Sequence, residues 1–260
     1  MALSPAINGE EYDGPVYNNF EELDVKACVE TVKQDEKLIW GIAVNVADSC
    51  CGGYDPRVIM DKVLEIASET NKPILYGVRW DPFDWSIDDQ LDLLRPNDLV
   101  TYSFHIGPGG LAPSGKVETA VWKAKDKGIL FDIGHGMSSF NFEVAETAIS
   151  EGFLPDTIST DFYFKHATSS PRHDIPRTIS KLIAAGMNET EAFERSTIKP
   201  AQVLGLSESI GSLCVGSIAD LAVIQWNSDA APLIDVDGNG RPGGCWEPVI
   251  TVKNGKVIRP

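Results

Sequence analysis

The chain has 260 residues, 43% of them hydrophobic, which is enough apolar side chain to form the core of one large domain. Its 38 Asp and Glu outnumber its 22 Lys and Arg, so the formal net charge is −16 and binding to a nucleic-acid backbone is not expected. The sequence contains neither an apolar run of about 18 residues nor a basic segment that leads into an apolar one. It therefore predicts no membrane span and no signal peptide, and a cytoplasmic protein is expected.

Predicted strands and helices alternate along the first half of the chain. Residues 39–46 are nearly all apolar, which is typical of a strand that is buried on both faces of a parallel sheet. Strands are predicted at 1–7, 39–46, 73–78 and 99–104, and helices at 21–34, 58–66, from 86 onward and at 117–127. This alternation predicts a parallel β/α domain.

The central part of the chain carries polar residues at two predicted strand ends. An apolar run at 128–131 leads into the turn around His135, a predicted helix follows at 142–152, and a second predicted strand at 157–161 ends in Asp161. The carboxyl ends of parallel strands form the active-site face of such folds, so we expect His135 and Asp161 to face the same mouth. An Asp at a strand end is also common as a helix cap or a turn residue, and that interpretation stays open here.

The last hundred residues begin with two predicted helices and continue as short β segments. A helix is predicted at 175–185, ending at Gly186, and another from Asn188 to about Thr197, which Pro200 would stop. From Gly211 onward the pattern consists of short β segments, with a tight turn after the predicted strand at 249–253. The sequence therefore predicts an α/β fold with an incomplete TIM-like (β/α) barrel at 1–205 and a small C-terminal β appendage at 206–260.

One acidic segment in the appendage imitates a calcium loop. Residues 235–240 begin with the spacing of Asp and Gly that such loops use, but the twelfth position is Trp246, where a bidentate Glu is needed. A hairpin turn is therefore predicted there in preference to a calcium site.

Six short motifs, read in order, resemble the amidohydrolase superfamily, and within it the deacetylase branch that is similar to dihydroorotases and D-aminoacylases. The motifs lie at 131–136, 152–161, 196–201, 211–213, 216–221 and 252–256. The resemblance implies an eight-stranded β/α barrel with a small β-sandwich domain. It also implies one or two divalent metals, zinc or manganese, that activate water for attack on an amide carbonyl. Asp161 matches the strand-end Asp that moves the proton in this family.

The chain departs from the family at most of the metal-ligand positions. The family has His-x-His on its first strand, and no pair among the four histidines here has that spacing. The position of the bridging lysine corresponds to Ala43, and two further histidine positions correspond to Gly77 and Tyr102. Metal affinity depends on the number and type of ligands, so these departures predict the loss of a binuclear site. About six strand–helix units are visible where a closed barrel has eight, so a fragment or a partner that completes the barrel is expected.

The resemblance implies a hydrolase of amide (N-acyl) C–N bonds that acts on a small N-acyl or cyclic amide substrate, with activity impaired in this chain. Asp161 is the candidate catalytic residue, and His135, Tyr102 and His105 are candidates for substrate binding. His135 and Asp161 are also the remaining candidate metal ligands, with His105 or His166 as a third. The alternative is a non-catalytic relative that keeps the fold and binds a ligand or partner, as a homo-oligomer or with a completing chain.

Overall fold

The computed structural model describes residues 2–4, 14–17, 19–79, 84–107 and 109–258, and these fall into two compact units. Unit 1 contains Met1–Thr101, Gly107–Pro113 and Glu118–Phe131; unit 2 contains Tyr102–Ile106, Ser114–Val117 and Asp132–Pro260. The predicted division into a barrel at 1–205 and an appendage at 206–260 is a different partition, and it stays a prediction.

Unit 1 is built on a five-stranded parallel sheet whose strands lie side by side in chain order. The strands are β1 (Ala2–Leu3), β2 (Gly41–Asn45), β3 (Ile74–Gly77), β4 (Leu99–Thr101) and β5 (Leu130–Phe131). The register places Ala43 opposite Leu75, and Gly77 opposite Thr101. Parallel pairing in chain order is the arrangement of a (β/α) barrel, so the predicted α/β class with an incomplete barrel is confirmed.

The predicted strands of unit 1 are present but shorter than expected, and the part of the first one at 5–7 lies outside the described residues. Helices separate the strands; they are α1 (Val25–Gln34), α2 (Asp48–Cys51), α3 (Pro56–Thr70), α4 (Ile87–Asp92) and α5 (Thr119–Asp126). Helix α3 begins at Asp55, whose side chain accepts a hydrogen bond from the Arg57 backbone, and its face at Ile59, Val63 and Ile66 is fully buried. This apolar face of α3 contributes the main part of the helical side of the core.

A buried glutamine on α4 organises the polar interior of unit 1. Gln90 accepts hydrogen bonds from the Tyr76 hydroxyl (2.8 Å) and from the Arg79 backbone (2.9 Å). Its side-chain amide donates to the carbonyls of Arg79 (3.0 Å) and Trp85 (2.8 Å). The Arg79 guanidinium pairs in turn with Asp84. Every hydrogen-bonding position of this side chain is therefore used.

Unit 2 consists of four helices, five short strands and one 3₁₀ segment within the described residues. They are α6 (Phe142–Ser150), the 3₁₀ turn Phe164–Thr168, α7 (Ile175–Ala184), α8 (Glu189–Glu194), α9 (Ile198–Val203), β6 (Leu221–Asn227), β7 (Leu233–Ile234), β8 (Gly240–Arg241), β9 (Cys245–Lys253) and β10 (Lys256–Ile258). None of the helices in the described residues combines the length and the hydropathy needed to cross a bilayer.

Two predictions for unit 2 are wrong in detail. The segment 157–161 is not a regular strand; it makes one parallel bridge, from Thr157 to Asp132, and it ends in the left-handed backbone of Asp161, which an extended strand does not use. Pro200 does not stop a helix, since it is the third residue of α9. The first four backbone N–H groups of a helix have no partner within the helix, so a proline that lacks an N–H is tolerated there.

The β segments of the appendage form hairpins. Strands β6, β9 and β10 make an antiparallel sheet, and the predicted tight turn at Asn254 and Gly255 joins β9 to β10 with positive φ at both residues. The acidic segment at 235–240 is the turn between β7 and β8, as predicted. The Asp235 carboxylate there accepts hydrogen bonds from Phe142 and from two residues of its own turn, Asp237 and Asn239.

Candidate functional site

Two of the predicted site residues have an unusual backbone conformation. Among the described residues, five residues other than glycine have positive φ; three are asparagines, and the other two are Tyr102 (65°) and Asp161 (46°). Asparagine adopts the left-handed region readily, whereas a bulky residue such as tyrosine rarely does. Strained backbone of this kind persists where surrounding structure holds it, and it is concentrated at functional sites.

A buried aspartate holds the segment that leads to Asp161. Asp132 follows β5 directly, and its two carboxylate oxygens accept hydrogen bonds from the hydroxyls of Thr157 and Ser159, each at 2.6 Å. The backbone of the neighbouring turn adds further bonds, from His135 to the Ser159 carbonyl (3.2 Å) and from Gly136 to the Thr160 carbonyl. Together these bonds fix the position of the backbone that leads to Asp161.

Gly136 allows His135 and Asp161 to lie side by side. Its φ is +46°, and a Cβ at this position would be 2.6 Å from the Asp161 Oδ2 atom, closer than real contacts allow. A glycine is therefore required both by the backbone conformation and by the approach of the carboxylate. The predicted proximity of His135 and Asp161 is thus present within unit 2.

The His135 imidazole is buried and uses both of its nitrogens. With Nδ1–H donating to the Gly136 carbonyl (2.9 Å), Nε2 is left as an acceptor, and the Lys181 Nζ lies 2.7 Å from it. The ring stacks on Phe140 with centroids 5.0 Å apart and planes 6° apart. Burial, followed by the nearby Lys181, lowers the pKa of His135 to about 3, so the ring is neutral near pH 7.

Lys181 is the functional candidate that the sequence interpretation missed. It lies on α7 and is only 7% exposed, and burial, followed by the nearby Arg177, lowers its pKa to about 8. Its Nζ also lies 5.6 Å from the centre of the Phe140 ring. The available signal was a lysine at a helix position flanked by inward-facing residues three and four places away, Thr178 and Ala185.

Two more histidines complete this cluster. The His173 Nε2 lies 2.7 Å from the Thr160 carbonyl, and its ring centroid is 4.8 Å from that of His135 and 4.0 Å from that of His166. Burial lowers the pKa of His173. His166 accepts a hydrogen bond at Nδ1 from the Tyr163 backbone. The sequence interpretation named His166 but gave His173 no role, although both lie in the same loop after Asp161.

The other two predicted binding residues form a separate pair. The His105 Nδ1 lies 2.8 Å from the Tyr102 carbonyl, and burial lowers the pKa of His105. Between them, Phe104 forms a parallel bridge with Phe140, and the two rings are 6.4 Å apart. Since Phe140 stacks on His135, the pair adjoins the cluster through these aromatic rings. The substrate-binding roles of Tyr102 and His105 stay predictions.

The described side chains do not by themselves fit a catalytic divalent metal. No group of three or more His, Cys, Asp or Glu side chains in the described ranges converges on one position. A catalytic zinc takes three protein ligands, and both His135 nitrogens already have protein partners. The predicted ligand roles of His135 and Asp161 would need a further residue to complete them.

The chain is similar to two bacterial deacetylases. It is 36% identical to a deacetylase of Enterococcus faecalis over 154 residues, which are 58% of this chain and 42% of that protein. It is 31% identical to a deacetylase of Brucella anthropi over 250 residues, which are 94% of this chain and 60% of that protein. The chain therefore spans between about two fifths and three fifths of the length of these relatives.

The fold and the family agree with this likeness. A crystal structure of a dihydroorotase matches with a TM-score of 0.82 and 27% identity, covering 95% of this chain and 65% of that one. The model of the amidohydrolase family matches residues 123–258, just over half of the chain, including His135, Asp161 and Lys181. Proteins of this family generally use a divalent metal. The predicted resemblance is confirmed, and the chain belongs to the amidohydrolase family.

Proposed function

We propose that this protein acts as a hydrolase of amide C–N bonds, removing an acyl group from a small N-acyl compound or opening a cyclic amide. Its similarity to deacetylases supports this reaction class. The observation that carries the proposal is the placement of Asp161, which has left-handed backbone and whose carboxylate lies against Gly136, the residue after His135. The close approach to Gly136 holds this carboxylate in a defined place, which is what proton transfer in amide hydrolysis needs.

In this proposal Asp161 is the group that moves the proton. Its carboxylate takes a proton from the attacking water and returns it to the nitrogen that leaves, which is the general base and general acid role of a positioned side chain. His135 stays neutral because it is buried beside Lys181. Both of its nitrogens are bonded within the protein, so in this proposal His135 holds Lys181 in position, and its ring stacks on Phe140.

The test is a hydrolysis assay on a panel of N-acetylated amino acids and cyclic amides, with purified chain and Asp161→Asn. This variant keeps the shape of the side chain and removes its basicity, so the rate should fall by about 10²- to 10⁴-fold. Asp126→Asn, at an exposed position near the end of α5, is the matched control and should keep the full rate. Turnover that survives in Asp161→Asn would refute the assignment.

A second candidate function is binding without turnover. It is favoured by the absence of a three-ligand metal group in the described ranges. Elemental analysis after dialysis separates the two candidates. Near one zinc or manganese per chain, lost in Asp161→Asn, would show that a metal site exists and would restore the full family mechanism. Ligand binding with no metal and no turnover would favour the binding role.

A further inference from the structure

Helix α7 buries two cationic side chains in unit 2. Lys181 is 7% exposed and Arg177, one turn earlier, is 8% exposed. Lysine and arginine are almost never buried to this degree unless a carboxylate or another anion accompanies them.

Neither cation has a carboxylate at ion-pair distance within the described part of the chain. The Arg177 guanidinium donates to the carbonyls of Pro232 (3.0 Å) and Ala231 (3.5 Å) and lies 3.9 Å from the Cys245 thiol. The hydrogen-bond partner of Lys181 is the neutral imidazole of His135. An imidazole accepts one hydrogen bond from the ammonium, which has three to give.

The carboxylate of Asp235 acts on Lys181 through space, but its oxygens already have hydrogen-bond donors. Asp235 raises the pKa of Lys181, and its oxygens accept four hydrogen bonds. They come from the backbone of Phe142, Asp237 and Asn239 and from the Asn239 side-chain amide. Each carboxylate oxygen accepts about two hydrogen bonds, so Asp235 has little capacity left for a further contact. Among the described residues, the positive charge of Lys181 therefore has no direct counterion.

The surroundings of Lys181 hold its ammonium in one place. His135 is fixed by its hydrogen bond to the Gly136 carbonyl and by stacking on Phe140. The Lys181 Nζ atom lies 5.6 Å from the centre of the Phe140 ring. A hydrogen bond from a held ammonium to an anion is stronger than one between neutral groups, and burial strengthens it further. Lys181 therefore presents a buried, held ammonium of the kind that binds anions.

We propose that Lys181, held by His135, binds the carboxylate of the substrate, so that the preferred substrates are N-acyl amino acids and other small acids rather than neutral amides. The inference rests on the proposed function, because it places the substrate beside Asp161. A singly charged carboxylate matches the one uncompensated ammonium. A doubly charged phosphate would meet repulsion from Asp161 and from the acidic chain as a whole.

The experiment measures equilibrium binding of three probes by calorimetry or NMR titration: N-acetylglycine, its neutral analogue N-acetylglycinamide, and inorganic phosphate. The wild-type chain should bind the acid about ten- to a hundredfold more tightly than the amide, since one charged hydrogen bond makes the difference. Lys181→Met should abolish this preference. Lys253→Met is the control, because Lys253 is exposed and already pairs with Asp220, and it should keep the preference.

Three outcomes would overturn the proposal: equal binding of acid and amide by the wild type, a preference that survives in Lys181→Met, or phosphate binding tighter than the acid. Should Lys181→Met fail to fold, Lys181→Arg keeps the charge and should retain the preference, while Lys181→Gln should lose it. Binding that follows these expectations with no turnover would support this inference and refute the hydrolase proposal alone. Turnover of neutral amides with no preference for acids would support the hydrolase proposal and refute this inference.

Discussion

The two units handle their buried polar groups in opposite ways. In unit 1 the fully buried side chain of Gln90 has a partner at each of its four hydrogen-bonding positions, and the buried Asp98 accepts bonds from Ile74 and Arg95. In unit 2 the ammonium of the buried Lys181 has three donors and, in the part of the chain that the structure describes, one hydrogen-bond partner. Satisfied networks hold a fold together, whereas unused hydrogen-bonding capacity in a buried group is costly, which is consistent with the ligand-binding role proposed for Lys181.

The residues at the strand ends show a similar difference between the two units. Ala43 and Gly77 in unit 1, which the sequence predicts to correspond to metal-ligand positions of the family, offer no side-chain donor or acceptor. In unit 2, Tyr102 and Asp161 keep polar side chains and hold them in left-handed backbone. We therefore expect the chemistry of this chain to lie in unit 2, with unit 1 contributing buried structure. The predictions below test this division.

The largest expected effect is the activity loss in Gly136→Ala. The new methyl group would meet the Asp161 carboxylate at 2.6 Å, so that side chain must move away, and we expect the rate of hydrolysis to fall about 100-fold. Gly152→Ala is the matched control, because that glycine also has positive φ but nothing within 4 Å of the added carbon. Both should lose about 1–2 kcal/mol of stability from backbone strain, and only the first should lose activity. Equal activity in the two variants would separate Gly136 from the site.

The next effect is on stability and belongs to unit 1. Gln90→Leu has a similar shape but leaves four buried groups without partners, each worth about 1–3 kcal/mol. We expect the free energy of unfolding to fall by at least about 3 kcal/mol, measured by denaturant titration. Gln202→Leu, at an exposed position on α9, should change it by less than about 0.5 kcal/mol. A small effect at Gln90 would mean that unit 1 also tolerates unused polar groups, and the contrast between the units would fail.

The parts of this molecule that depend on short-range patterns were predictable from the sequence. Apolar runs located β2, β3 and β4, and the cap at Ser86 located α4, because these signals lie within a few residues of the element they define. The approach of Asp161 to the turn at His135 was also predictable, since two segments that run parallel end at the same edge, even though the second is not a regular strand.

The partners of buried polar groups were not predictable in this way. The contact between Lys181 and His135 joins residues 46 positions apart on a helix and a turn, and no local pattern specifies it. The same holds for Asp132, whose role depends on two hydroxyls 25 and 27 residues later. The segment 157–161, which contains these two hydroxyls, was predicted to be a strand because alternating hydroxyl and apolar residues are compatible with a strand.

The smallest expected effect is the stability of Lys181→Met at pH 7. If the ammonium serves a ligand, the isolated fold does not need it, and the free energy of unfolding should stay within about 1 kcal/mol of the wild type or rise. A loss above about 3 kcal/mol, with ligand absent, would make Lys181 a structural residue like Gln90. Lys181 and Gln90 would then both be buried polar side chains that stabilise the fold.

The pH dependence of this difference sharpens the test. The pKa of Lys181 is about 8 in the folded chain against an ordinary value of 10.5. Below pH 8 the lysine is protonated in both states, and its burial penalty is constant. Between pH 8 and 10.5 the unfolded chain binds more protons than the folded one, so lysine makes stability rise with pH, by up to about 1.4 kcal/mol per unit. Subtracting the unfolding curve of Lys181→Met from that of the wild type should therefore give a difference that increases above pH 8. A flat difference over that range would mean that Lys181 keeps its proton in the fold and that an undetected anion already accompanies it.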